Sequence, residues 1–406
     1  MNPRQTVISL QQSIHAFQRF TLDSRPAGYG KTTGITNSIY SRIAQHISLN
    51  ESVIIVLPSI DLQKSYNLKF PEIIVVNSEN DKSAYSKFSQ ALKLKKKIIC
   101  ITSALFLNIS FEENITDYHL IIDESFIPHT HISIDARNAS KVTAVNRDSS
   151  EEVSKNTTGL NVLKDIKIVL GYKSVHIAAA AIEYTFLYFW LKLNNIQFTI
   201  TGAFNRHIGP TLHCADILSD SKVWSLEKQK NSIDYDYIAA NRRSIGESDK
   251  HTLYYGNKSN EFKSDNPNAH YSDLNSAGSN SYIMCVNVVC EQAINPSSAG
   301  MSDLKSIYGM TDYEVHRAYS TYALYQNIGR SAIRSGNEVD AYLMSLIDTT
   351  ILNNDFYNET EIQMYQLLDA PVKKARATRS DKGTGLTPAQ RMAKSRAKAK
   401  LLKVVL

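Results

Sequence analysis

Short apolar runs rich in β-branched residues recur along the first half of the chain, and turn residues and then a helical pattern follow each one. Runs of this kind without polar alternation are typical of strands buried on both faces. Strands that alternate with helices predict a parallel sheet covered by helices on both sides. The predicted strands are Arg19–Asp23, Val53–Leu57, Glu72–Val76, Lys97–Thr102, His119–Ile122 and Gln197–Thr201.

A second, sparser set of apolar runs predicts a second α/β unit. Its strands are Lys222–Leu226, Tyr282–Val289 and Val339–Leu346. Between them, Gly256–Ser281 is rich in Asn, Ser, Asp and Gly, which predicts a loop. The pattern therefore predicts an α/β fold of two parallel-sheet domains in tandem, at about 1–205 and 206–370, followed by a tail over 371–406.

The most apolar stretch of the chain is Val175–Leu191, which nevertheless contains His176 and Glu183. It is shorter than the roughly 20 residues that a membrane-spanning helix needs. We therefore predict a largely buried helix there, within a helical insert of the first domain at about 135–193. No membrane partner is expected.

Charge is distributed unevenly along the chain. From Pro371 to Leu406 there are eleven Lys and Arg residues against Asp381, a net charge of +10, whereas the whole chain carries only +6. Thr387 is a suitable N-cap and Pro388 suits the first position of a helix, so the tail is predicted to be partly helical. A basic tail on a mildly acidic body indicates a polyanionic partner.

The cysteines and the N-terminus bear on localisation. The four cysteines are scattered, and no CxxC or Cys/His spacing suggests zinc. The first residues, MNPRQTVISLQQS, lack the apolar core of a signal peptide. We therefore expect a cytoplasmic protein.

A glycine-rich turn, Arg25–Thr33, lies between a predicted strand and a helical run, TTGITNSIYSRIAQHI. Backbone N–H groups of such a turn can face a polyphosphate, and the N-terminus of the following helix adds positive potential. In the pattern GxxxxGK[ST], Lys31 would pair with the β- and γ-phosphates and Thr32 would supply a hydroxyl to Mg²⁺. Arg25 stands where that pattern has glycine, and a chance GKT in a loop is the alternative. The predicted ATP-binding residues are Ala27, Gly28, Tyr29, Gly30, Lys31, Thr32 and Thr33.

Two adjacent acids end the apolar strand in His119–Ser125. This position places Asp123 at the carboxyl edge of a parallel sheet, beside the glycine-rich turn. We predict that Asp123 binds ATP-bound Mg²⁺ together with Thr32, and that Glu124 polarises the attacking water.

A third motif, Tyr325–Arg334, lies late in the second predicted domain. Arg330 and Arg334, near Gln326, are predicted to reach the γ-phosphate across an interdomain cleft, as an arginine finger does, and all three are candidate catalytic residues. Hydrolysis would then require domain closure. The alternative is that the two arginines, four positions apart on a predicted helix, form a solvated face.

These motifs resemble those of superfamily-2 helicases, whose last motif has the form Q-x-x-G-R-x-x-R. Gln326, Gly329 and Arg330 match it, and Arg334 falls one residue later. The segment QNIGRSAIR looks closer to helicase-like proteins of phages and mobile elements, which tend to carry Q-x-x-x-R-x-A-I-R. That family also has a small-G-[ST]-N segment and an Asn-Pro, as in Ala277–Asn280 and Asn295-Pro296 here.

Three further segments resemble the family at lower specificity. Val56–Gln63 and Ile101–Ala104 look like loops that touch the nucleic-acid backbone, and Thr201–Ala203 sits where the family carries a short coupling motif. The resemblance implies two RecA-like domains, ATP and Mg²⁺ as cofactors, and a nucleic-acid partner. Single-stranded DNA is the favoured partner, and RNA is not excluded. Replication proteins would be further partners, and the protein would act in the cytoplasm of a phage host.

Three functions fit these observations. The first is an ATP-dependent helicase or translocase acting in replication or recombination of a phage or mobile element. The second is a helicase-like ATPase without unwinding activity that loads or remodels a replication complex. The third is a nucleic-acid-binding module in which the basic tail makes the main contacts. This function is disfavoured because the chain has all of Lys31, Asp123, Glu124 and Arg330.

Overall fold

The apolar runs of the first half form one sheet of seven parallel strands. In the computed structural model the described residues are 20–34, 37–79, 83–109, 115–133, 159–165, 167–215, 249–256, 266–272, 282–291, 294, 296, 298–358 and 360–365. The strands of this part are β1 (Phe20–Asp23), β2 (Ser52–Leu57), β3 (Ile74–Val76), β4 (Ile98–Thr102), β5 (Tyr118–Asp123), β6 (His129–Ser133), β7 (Gly159–Leu163), β8 (Ser174–Ala178) and β9 (Thr199–Gly202). The sheet order is β3-β4-β2-β5-β8-β1-β9, and β6 and β7 form a separate antiparallel pair.

Helices cover both faces of this sheet, as the continuous apolar strands predict. Ile54 and Val56 of β2 enter one core cluster, whereas Val53, Ile55 and Leu57 enter another on the opposite face. Ser or Thr side chains accept hydrogen bonds at several helix N-termini and so fix where those helices begin. The helices are α1 (Ile39–Ser48), α2 (Ile60–Lys69), α3 (Ala84–Lys93), α4 (Ser103–Phe106), α5 (Lys167–Leu170), a 3₁₀ turn (Ile182–Tyr184) and α6 (Phe186–Leu193).

The buried helix predicted over Val175–Leu191 is wrong in its first part. Residues Ser174–Ala178 form β8, which lies between β5 and β1 in the middle of the sheet. A short, fully apolar run does not distinguish a buried strand from a buried helix, because neither shows a polar face. These residues therefore belong to the sheet and not to a helical insert, while 134–158 lie outside the described residues.

The second half forms a parallel sheet of six strands, in the order β13-β12-β14-β15-β11-β17. Residues Ala269–Ser272 form strand β13, so the loop predicted over Gly256–Ser281 is wrong at this point. The predicted strand Lys222–Leu226 lies outside the described residues. β10 and β16 pair separately, also in parallel. The strands are β10 (His207–Ile208), β11 (Thr211–Ala215), β12 (Thr252–Tyr255), β13 (Ala269–Ser272), β14 (Asn287–Cys290), β15 (Asp340–Leu343), β16 (Tyr357–Asn358) and β17 (Ile362–Tyr365).

Helices that follow β14 in sequence reach the first sheet as well as the second. Leu304, Tyr308 and Val315 are buried in the same core cluster as Phe186 and Trp190 of α6. The two halves of the chain are thus joined by apolar contact. The helices are α7 (Ser298–Tyr308), α8 (Asp312–His316), a π-helical turn (Arg317–Thr321), α9 (Tyr322–Ile328), a 3₁₀ turn (Ala332–Ser335), α10 (Leu346–Ile351) and a second π-helical turn (Leu352–Phe356).

Candidate functional site

The glycine-rich turn leaves the carboxyl end of β1 and folds around the side chain of Lys31. Gly28 and Gly30 have φ values of 85° and 72°, a left-handed conformation that glycine adopts without strain. The Lys31 ammonium donates to the carbonyl oxygens of Arg25 at 2.7 Å and Pro26 at 2.8 Å. Burial lowers the pKa of Lys31 to about 8, although the charge of Glu124 opposes this shift.

The helix after this turn begins later than the sequence pattern predicts. α1 starts at Ile39, and Ser38 caps it in a reciprocal capping box with Ser41. Thr and Gly are poor helix formers, whereas Ser is a favourable N-cap, so the helix starts where the cap is available. Lys31 therefore lies in a turn and not at the helix N-terminus, and the predicted contribution of a helix dipole at Lys31 is wrong for this conformation.

Arg25, which replaces the first glycine of the pattern, ties the turn together. Its guanidinium bonds the carboxylate of Asp23 at 2.6 Å and 2.9 Å and donates to the backbone oxygen of Asn37 at 3.2 Å. Although burial opposes it, hydrogen bonding from Arg25 holds the pKa of Asp23 below its usual value. A Cβ on Gly202 would lie 2.5 Å from Asp23 Oδ1, so glycine is needed beside this ion pair.

Asp123 ends β5 beside the glycine-rich turn, as the parallel sheet requires. Its carboxylate accepts hydrogen bonds from the Thr32 hydroxyl at 3.1 Å and from the buried Tyr66 hydroxyl at 2.6 Å. Burial raises the pKa of Asp123 to about 6, although the Tyr66 hydrogen bond opposes this shift. The two predicted Mg²⁺ ligands therefore lie in contact.

Glu124 has a strained backbone and a partner in the second half of the chain. Its φ of 97° is unfavourable for a residue with a side chain, and such strain is concentrated at functional sites. Glu124 Oε1 accepts a hydrogen bond from the Tyr322 hydroxyl at 3.4 Å, and that hydroxyl accepts one from Gln326 Nε2 at 2.9 Å. Gln326 thus reaches the Asp-Glu pair through Tyr322.

Arg330 and Arg334 do not share a helix face, which corrects the sequence-based alternative. α9 ends at Ile328, and Arg334 lies in the following 3₁₀ turn. Arg330 is buried beside the Tyr255 hydroxyl, where it counteracts the rise in the pKa of Tyr255 that burial causes. Arg334 lies against the glycine-rich turn, since a Cβ on Gly28 would be 3.0 Å from Arg334 Cγ. Burial lowers the pKa of Arg334, and Glu124 opposes that shift.

The glycine-rich turn is in direct contact with the third motif. The Ala27 backbone N–H donates to the Tyr325 hydroxyl at 3.1 Å, and a Cβ on Gly329 would lie 3.0 Å from the Ala27 Cβ. Tyr29 and Thr33, also predicted to bind nucleotide, are exposed. Tyr66, Tyr322 and Tyr325 are not predicted as site residues from the sequence, because nothing local distinguishes them among the 22 tyrosines of the chain.

A cavity of about 200 Å³ lies between Glu124 and α9. Glu124 and Arg330 stand at its wall, and aromatic side chains supply much of the remainder. The aromatic residues that line it are Phe126, Phe186, Tyr319 and Tyr322.

Two of the lower-specificity segments meet at the carboxyl edge of the first sheet. Ser59 caps α2, and the Ser103 hydroxyl donates to the Leu57 carbonyl at 3.3 Å. Gln63 is buried and donates to the carbonyl oxygens of Val76 in β3 and Cys100 in β4, so it joins α2 to two strands and does not face a ligand. Ala277–Asn280, Asn295 and the tail at 371–406 lie outside the described residues.

Comparison with known proteins shows similarity of fold. No protein-family model and no curated protein matches the sequence. The structure of S. tokodaii Xpd4 aligns over 89% of this chain and 100% of that chain, with a TM-score of 0.51 and 13% identity. RecG bound to a three-way DNA junction aligns over 81% of this chain and 40% of that one, with a TM-score of 0.37 and 10% identity. The alignment with Xpd4 shows a common fold, two parallel-sheet α/β domains in one chain.

Proposed function

We propose that this protein is an ATP-dependent nucleic-acid helicase or translocase that binds ATP and Mg²⁺ between its two α/β domains. The observation that carries the proposal is the contact of the glycine-rich turn with the third motif, through Ala27, Tyr325 and Gly329. A nucleotide at the turn would therefore touch residues of both domains. That is the arrangement in which a nucleotide cycle drives domain movement.

The residues present suit a magnesium nucleotide. Mg²⁺ prefers oxygen ligands, and the Thr32 hydroxyl and the Asp123 carboxylate are in contact at 3.1 Å. Asp123 is buried and its pKa is raised to about 6, so a divalent cation would offset the cost of its negative charge. When bound, the ion would neutralise charge that develops on the phosphates.

Each of the other site residues has a separate role in the proposed reaction. Lys31 would exchange the carbonyls of Arg25 and Pro26 for phosphate oxygens. Glu124 would orient the attacking water. The Glu124 side chain is itself held by a hydrogen bond from Tyr322, which in turn accepts one from Gln326. Arg334, beside Gly28, would stabilise the transferred phosphoryl group.

The partner in this proposal is single-stranded nucleic acid. The segments around Ser59 and Ser103 share one edge of the first sheet, and the residues beyond Asp369 carry a net charge of +10 against +6 for the whole chain. DNA is favoured over RNA because the third motif looks like those of phage and mobile-element proteins that act in replication or recombination. A cytoplasmic setting is part of the same proposal. No described helix is long and apolar enough to cross a membrane.

A second function, a helicase-like ATPase that remodels a complex without unwinding, is favoured by one observation. Tyr308 and Val315 are buried in the core cluster of the first sheet although they follow the second sheet's β14. This apolar contact between the domains resists the opening that stepwise movement along a strand requires. A strand-displacement assay separates the two functions.

Steady-state ATP hydrolysis, titrated with single-stranded DNA, single-stranded RNA and duplex, tests the proposal. We expect stimulation by single strands and loss of turnover by orders of magnitude in Lys31→Ala. The Glu124→Gln variant should still bind ATP but stall before hydrolysis. Parental turnover in a folded Lys31→Ala protein would remove the central claim.

A further inference from the structure

Three potential metal ligands meet at the amino edge of the first sheet, the edge opposite the candidate nucleotide site. His46 lies in the last turn of α1, Glu51 directly precedes β2, and His119 lies at the start of β5. One ligand atom from each lies within 4.8 Å of those of the other two. Glu51 Oε2 is 2.8 Å from His46 Nδ1, and Glu51 Oε1 is 3.5 Å from His119 Nε2.

The His119 imidazole is buried, and its Nε2 atom makes no hydrogen bond within the described part of the chain. Its other nitrogen, Nδ1, lies 2.6 Å from the Ser174 hydroxyl. In the tautomer with the proton on Nδ1, that proton is donated to Ser174, and the Nε2 lone pair is directed at Glu51. Histidines that bind metals are held in this way by a second hydrogen bond. The nearest acceptor to this buried nitrogen, Glu51 Oε1, is 3.5 Å away, so an ion between the two atoms would satisfy both.

The spacing of the three side chains suits a small divalent ion. Zn²⁺ binds imidazole nitrogen and carboxylate oxygen at about 2.0–2.2 Å, so neighbouring ligands of a tetrahedral site are about 3.4 Å apart. The contacts of Glu51 with His46, 2.8 Å through Oε2, and with His119, 3.5 Å through Oε1, are close to that separation, and one ligand atom from each of the three residues lies within 4.8 Å of the others. Glu51 and His46 are partly exposed, which leaves an entry path and room for a water ligand.

We propose that His46, Glu51 and His119 bind one Zn²⁺ ion that fastens the end of α1 to β2 and β5. Nitrogen and carboxylate ligands of this kind favour Zn²⁺ over Mg²⁺ or Ca²⁺, which prefer oxygen alone. α1 is the helix that follows the glycine-rich turn, so the ion would hold its far end on the sheet. This site is independent of the proposed hydrolysis.

Lys173 competes with the ion for Glu51. Its ammonium lies 3.0 Å from Glu51 Oε1 and is about half exposed, so it can leave when the ion binds. Removing this charge should therefore tighten metal binding. An ion-pair cluster without a metal function predicts no such gain.

The test measures Zn²⁺ binding to the full-length protein, stripped with a chelator, in the absence of nucleotide and Mg²⁺. We expect the parent to bind one more equivalent than Glu51→Gln or His119→Gln, as measured by competition with a chromophoric chelator. Lys173→Met should bind Zn²⁺ more tightly than the parent. Ser174→Ala should weaken binding about 10- to 100-fold, because it removes the hydrogen bond that orients His119.

A matched control is available in the second sheet. His251 and His270 stack with their nitrogens 3.1 Å apart, and no carboxylate joins them in a three-ligand group within the described residues. His270→Gln should therefore keep the parental stoichiometry. Thermal unfolding without Zn²⁺ checks that each variant is folded. If His119→Gln does not fold, Glu51→Gln still tests the site, because Glu51 is partly exposed. Equal stoichiometry in the parent, Glu51→Gln and His119→Gln, or unchanged affinity in Lys173→Met, would overturn the assignment.

Discussion

The backbone N–H of Ala27, in the glycine-rich turn, donates a hydrogen bond of 3.1 Å to the hydroxyl of Tyr325, in the second domain. The Tyr325 ring is fully buried and stacks on Phe356 with centroids 4.7 Å apart, so its position is set by the second domain's own core. A rigid hydroxyl therefore holds the main chain of the turn at which we propose that the nucleotide binds. This contact makes the state of the turn depend on the position of the second domain.

The Tyr325→Phe variant isolates this hydrogen bond, because the ring and its packing are retained. We expect the free energy of unfolding to fall by about 1 kcal/mol, the usual net value of one hydrogen bond, while ATP turnover falls several-fold. Stopped-flow nucleotide binding and steady-state hydrolysis measure the effect. Tyr172→Phe is the control, since that buried hydroxyl makes no hydrogen bond to the described residues. Equal turnover in the two variants would show that the contact does not couple the domains.

Asp123 predicts a pH dependence of stability. Its pKa is about 6 in the folded protein against an ordinary value of 3.8, because burial disfavours the charged form. Between these pH values the native state holds a proton that the unfolded chain has released, so the free energy of unfolding decreases as the pH rises. Above pH 6 Asp123 is ionised in the folded protein, and this buried charge lowers the free energy of unfolding by up to about 3 kcal/mol.

The Asp123→Asn variant should therefore be more stable than the parent at pH 7 in the absence of Mg²⁺, and inactive in hydrolysis. Asparagine still accepts from Tyr66 and Thr32, so packing is little changed. Chemical denaturation at pH 4 and pH 7 tests this, because the advantage should shrink at the lower pH. If Asp123→Asn is less stable than the parent at both pH values, the buried charge of Asp123 does not destabilise the folded protein.

Arg330 and Arg334 should respond differently to substitution. Arg334→Ala should reduce hydrolysis by roughly 10³- to 10⁵-fold, the usual effect of losing an arginine finger, with little change in stability or ATP affinity. Arg330→Ala should lower the unfolding temperature as well, because Arg330 is buried at 8% exposure beside Tyr255. Hydrolysis, fluorescent-nucleotide binding and thermal unfolding separate the two outcomes. Parental hydrolysis in both variants would contradict an active site completed by the second domain.

Truncation after Asp369 tests the role of the basic tail, which lies outside the described residues. The tail carries eleven Lys and Arg residues. If about five of them contact phosphates, the log–log salt dependence of single-strand binding should flatten by roughly 3 to 4. Basal hydrolysis should persist, because none of the candidate catalytic residues lies there. Equal salt slopes with and without the tail would indicate a solubilising or protein-docking segment.

The sequence by itself determined the α/β class, six of the seven strands of the first sheet, two of the six in the second, and the turn that carries Lys31. Continuous apolar runs and glycine-rich turns are local signals, and a parallel sheet brings the ends of its strands to one edge. Asp123 and Thr32 therefore meet, as their positions in the sequence indicate.

Only the tertiary structure decided which residues from distant segments meet. It made Ser174–Ala178 a central strand, separated Arg330 from Arg334, and placed Tyr66, Tyr322 and Tyr325 on the site. It also brought His119 to Glu51, two residues too far apart in the sequence for a local motif to predict their contact. The physical reason is that apolar periodicity reports which face of an element is buried, whereas the partner of a buried side chain depends on how whole elements pack.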